Sequence, residues 1–114
     1  MSWWVSLEQD GKPVEVERHW EGGTFTVGGS TLAEINITYN YGFFYRHCLH
    51  PDGLWWLDGK RARDCVGRLE AAIKELGASR YRDYWTPTPS NAGFALSILL
   101  AWAKEHPEAT FRVR

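Results

Sequence analysis

The hydrophobic pattern of this chain changes period partway along, and that change restricts the fold more than any single motif does. Up to residue 41 apolar side chains alternate with polar ones, as on a strand; beyond residue 58 they recur every three or four residues, as on a helix with one buried stripe. Residues 3–7 read WWVSL and run into Gln9-Asp10-Gly11-Lys12, a strong hairpin signal. Residues 13–20 alternate as PVEVERHW, with Val14 and Val16 on one side and Glu15 and Glu17 on the other. A short strand over 24–27 sits between two glycine pairs, and the longest strand is expected over 32–41, with Ile35, Ile37, Tyr39 and Tyr41 on one face. Gly42 then marks a bend, and Leu54 to Leu57 reads as a turn of helix or a plug under the sheet.

Asp58 is a suitable N-cap for the next element. Behind it Ala62, Cys65, Val66, Leu69, Ala72, Ile73 and Leu76 form an amphipathic stripe that Gly77 stops. Pro87 and Pro89 break regular helix, and Thr88, Ser90 or Asn91 can cap a second helix over 92–106. That helix is apolar on most sides and reads as the central buried one; Pro107 stops it, and residues 110–113 return as a strand. The order predicts one α+β domain over residues 1–114. It is an antiparallel sheet of about four N-terminal strands plus a C-terminal strand, with two main helices packed on one face. The core is expected to bring Ala62, Val66, Leu69, Ile73, Phe94, Ile98 and Trp102 against Ile35 and Ile37.

Composition matters in three places. Aromatic residues make up 15% of the chain, including seven Trp, and a domain of 114 residues is too small to hide every ring. The net charge of −1 creates no field that would draw in long nucleic acid. No apolar run is long enough to span a membrane, and the start has neither a basic leader nor an apolar signal core, so the expected location is the cytoplasm. Cys48 and Cys65 then read as reduced thiols.

Three constellations could carry chemistry. His47, Cys48 and His50, with Cys65, are zinc-ligand types, but HCLH matches no standard spacing and Cys65 lies on an apolar stripe, so no metal is expected. A small hydrolase acting on a nucleotide would have to be assembled from Asp83, His47 or His50, and no nucleophile motif or phosphate loop supports it. The third combines rings with uncharged hydrogen-bonding groups: Asn36, Thr38, Tyr39, Asn40 and Tyr41 in one segment, Tyr84, Trp85, Thr86, Thr88 and Asn91 in another. Rings stack on bases, amides and hydroxyls read polar edges, and a helix N-terminus offers N–H groups to an anion. Arg61, Arg63 and Arg82 are the expected phosphate contacts. Lys60, Arg61 and Arg63 have the wrong sign for the first turn of their helix, which an anion would relieve.

Two further motifs, NITYNY and DYWTPTPSNA, together with GLWWLDGK, carry a resemblance. The chain resembles a family of short proteins encoded by bacteriophages and prophages, along almost its whole length. The family pattern often has Gly where this chain has Ser90. The resemblance implies a shared fold and a phage setting, and no catalytic mechanism. It makes the chain look like a non-catalytic accessory protein that blocks bacterial defence inside the infected cell. The expected mode is a sponge that sequesters a small anionic nucleotide-like ligand, a cyclic dinucleotide or an NAD-derived nucleotide, without a cofactor. The alternative is an interaction protein that covers a host defence protein; self-association into a homo-oligomer stays open.

Overall fold

The strand β1 (Ser2–Gln9) is the element around which the rest is arranged. The computed structural model describes residues 1–19, 30–79 and 86–114; the predicted strand over 24–27 lies outside them. Asp10 and Gly11 both have positive φ, which fits the tight hairpin from β1 into β2 (Lys12–Pro13). Beyond Val14 the chain continues as β3 (Glu15–His19), which pairs antiparallel with β4 (Ser30–Leu32). β5 (Glu34–Thr38) returns to β1 with Val5 opposite Ile35 and Ser6 opposite Glu34. The C-terminal β6 (Thr110–Val113) lies on the other side of β1, with Leu7 opposite Phe111. The outer edge of β6 is covered: Lys60 and Phe111 share a backbone hydrogen bond, and the Asp58 carboxylate accepts from the Val113 N–H at 3.0 Å.

The longest predicted strand is divided, and it stops three residues early. β4 and β5 belong to different sheets, with buried Ala33 between them. After Thr38 the chain turns into a 3₁₀ segment over Tyr39–Tyr41 and then helix α1 (Gly42–Cys48). Thr38 starts this turn by accepting the Asn40 N–H on its hydroxyl. Tyr41 and Tyr45, four residues apart and on one side of the helical turn, are then fully buried together with their rings edge-on. Gly42 accordingly opens a helix rather than bending a strand.

Helices α2 (Ala62–Leu76) and α3 (Pro89–Glu105) form an antiparallel pair on the inner face of the main sheet. At one end the Ala62 and Arg63 N–H groups donate to the carbonyls of Ala109 and Pro107. At the other, Gly77 and Gly93 cross so closely that a Cβ on Gly93 would sit 1.6 Å from the Gly77 carbonyl oxygen. Asp58 does not cap α2; Arg61 occupies that position without a side-chain cap, and Asp58 serves β6 instead. Pro89 does not exclude helix but opens α3 at its first turn, where a missing N–H costs nothing. Leu69, Ala62 and Trp102 are buried with Ile35 and Ile37 as expected, whereas Val66, Ile73, Phe94 and Ile98 pack around the margin. No helix among the described residues is long and apolar enough to cross a membrane.

Candidate binding surface

Because strand side chains alternate, β1 sends Trp3, Val5 and Leu7 toward the helices and Trp4, Ser6 and Glu8 to the opposite face. The inner set is buried, and Trp3 meets Tyr39 edge-on at 4.7 Å and leans on Tyr45. On the outer face Trp4 remains 48% exposed, opposite Asn36. Ser6 and Glu8 are held there by a local network. The Ser6 hydroxyl donates to Glu8 Oε2 at 2.6 Å, and Arg114 reaches the same carboxylate oxygen at 3.2 Å and the Ser6 Oγ at 3.4 Å.

These side chains line a cleft of about 330 Å³ bounded by Trp4, Val5, Ser6, Glu34 and Arg114. Glu8, mostly enclosed, has its charge met by Arg114. Glu34 stands directly across from Ser6, and its carboxylate has no hydrogen-bond or ion-pair partner among the described residues. The cleft therefore combines a half-open indole with the Ser6 hydroxyl, the Arg114 guanidinium and a Glu34 carboxylate that has no partner among the described residues.

The residues expected to form a ligand floor are placed differently. Asn36 belongs to the outer face, but its amide donates to Ser2 Oγ at 2.7 Å and to the Trp3 carbonyl. Thr38 is buried and used as a cap, Tyr41 is buried in the core, and Tyr39 and Asn40 are exposed at the end of β5. At the start of α3, the Thr88 hydroxyl accepts the Asn91 N–H, while buried Asn91 donates its own amide to the Thr86 carbonyl. That helix end is largely closed by its own side chains. Tyr45, not singled out as a site residue, joins the two motifs: its hydroxyl donates to the Ala92 carbonyl at 3.0 Å and its ring packs on Tyr41. Arg82, Tyr84 and Trp85 lie outside the described residues.

Arg61 and Arg63 are not near this junction. They sit at the start of α2, whose 15 residues put about 22 Å between them and the Gly77 end where α3 begins. Both pair with Glu108, at 3.5 and 3.1 Å, and Asp64 restores a favourable charge to the first turn. The charge conflict read from the sequence is answered within the chain.

The other leads have structural uses. His47 packs on Phe43, and His50 stacks on Trp56, whose ring also carries Lys60 and Arg68 at 5.0 and 5.3 Å. Among the described residues no group of three His, Cys, Asp or Glu side chains could hold a metal ion. Cys48 and Cys65 are free thiols. Burial pushes Cys65 up to about 11, and partial burial beside Glu75 raises Cys48, so neither is an activated nucleophile. Asp83 lies outside the described residues.

The outer-face residues Trp4, Ser6, Glu34 and Arg114 were missed as a site, although a signal was present. Two adjacent Trp on an alternating strand cannot share a face, so one must point away from the core. No family model, no curated protein and no solved structure matches this chain.

Proposed function

We propose that this protein is a non-catalytic interaction module that docks a protein partner on the outer face of its main sheet, opposite the α2–α3 pair. In the phage setting that the sequence resemblance implies, the partner is a host defence protein, which the module blocks by covering it. The half-exposed Trp4 over a cleft also lined by Ser6, Glu34 and Arg114 carries this reading. A large rigid ring beside charged and hydroxyl groups is the composition of an interface anchor.

The geometry favours this over sequestration of a small anionic nucleotide. Asn36, Thr38, Thr88 and Asn91 spend their described hydrogen bonds inside the chain, and Arg61 and Arg63 are committed to Glu108 at the far end of α2. Co-purification from host cells with the wild type and with Trp4→Thr, alongside a thermal-shift panel of cyclic dinucleotides and NAD-derived nucleotides, separates the two. The interaction reading expects a host protein that is lost with Trp4→Thr and no shift from any nucleotide. A nucleotide that raises the melting temperature, or a partner retained by Trp4→Thr, overturns it.

A further inference from the structure

We propose that the cleft beside Trp4 receives an arginine side chain of the partner, its guanidinium lying on the indole and paired with Glu34. This rests on the reading that the outer sheet face docks a protein, and it names the chemistry that the face recognises. The charge balance points to a cation. Arg114, the cation that lines the cleft, is paired with Glu8 at 3.2 Å, and the Glu34 carboxylate that lines it has no partner among the described residues. Arg112, opposite Ser6 on β6, does not compensate it. Its guanidinium reaches toward Gly59, lying 3.8 Å from where a Cβ on that residue would stand.

The shape narrows the cation to a planar one. An indole face attracts a cation through the ring quadrupole, and guanidinium, being flat, can stack while it presents paired N–H donors to a carboxylate. An ammonium makes one point contact and stays more strongly hydrated. The volume of about 330 Å³ admits the head group and part of its aliphatic stem. An incoming phosphate would instead face the Glu34 carboxylate.

The test titrates the intact protein with Nα-acetyl-arginine amide, Nα-acetyl-lysine amide and guanosine monophosphate. Trp indole N–H resonances are observed by NMR, and Trp4 is assigned with Trp4→Phe. The arginine probe should move the Trp4 resonance saturably, the lysine probe less, and Glu34→Gln should weaken the arginine response by roughly tenfold while the remaining spectrum stays folded. An unmoved Trp4, an equal response in Glu34→Gln, or a stronger response to the nucleotide overturns the proposal. If the probe is silent but Trp4→Thr still releases the host partner, the docking face stands and only its arginine occupant is rejected. If Trp4→Thr retains the partner, the docking face itself is rejected.

Discussion

Trp3 and Trp4 are identical residues one position apart, yet the first is 7% exposed and the second 48%. Nothing in their chemistry distinguishes them; the pleat of β1 does. The inner face of that strand is fixed by packing, because each ring or branched chain there meets α1, the sheet margin or the helix pair. The outer face carries a Ser–Glu–Arg network and a half-open indole that is not part of the buried core. A position whose side chain is not spent on the core is available for recognition, and β1 separates the two uses within eight residues.

The inner face can be broken directly. Leu7 is fully buried, so Leu7→Ala should cost about 2–5 kcal/mol in urea melts, the usual range for truncating a core leucine. A loss below about half a kilocalorie would place β1 the other way round. Next in size is Gly93→Ala, which puts a methyl into the Gly77 carbonyl at the crossing of α2 and α3. Backbone on both sides leaves nothing flexible to yield, and about 1–3 kcal/mol of overpacking is expected. A neutral result in thermal melts would mean that the helices do not cross there.

A smaller effect comes from the thiol in the helix layer. Burial raises the Cys65 pKa from 9.0 to about 11, so the folded state holds that proton more tightly than the unfolded chain does. Its contribution is fully present below about 9 and is lost as the pH rises toward about 11. Stability measured at about pH 8 and about pH 10.5 should fall more in the wild type than in Cys65→Ala. Equal falls would put Cys65 in contact with solvent.

How much of this could be read beforehand depended on whether one periodic rule governed the segment. The stripe from Ala62 to Leu76, the Asp10-Gly11 hairpin and the C-terminal strand each follow such a rule, and all three are present. NITYNYGFFYRH misled because its alternation continues past Thr38 while the backbone does not. The four-residue spacing of Tyr41 and Tyr45 suits one face of a strand and of a helix alike, and the Thr38 cap starts the helical turn in which both rings are buried. The expected ligand floor failed to assemble for a related reason. Asn, Thr and Tyr that suit a small ligand equally suit caps and loop carbonyls, and sequence spacing does not distinguish the two. Arg61 and Arg63 were joined to that floor by charge alone, without the tertiary contact from Glu108 that claims them.

The smallest expected effect on folding belongs to the residue with the largest expected effect on binding. Trp4→Thr keeps a strand-compatible side chain and should change stability by about 1 kcal/mol or less. The most direct measurement is oxidative footprinting of the Trp side chains, read by mass spectrometry on the free protein and on the protein purified with its host partner. Trp4 should oxidise readily and Trp3 slowly in the free protein, with Trp4 becoming protected in the complex while Trp3 is unchanged. A Trp4 that is protected when free, or equally reactive in the complex, would contradict the assignment of the outer sheet face as the docking surface.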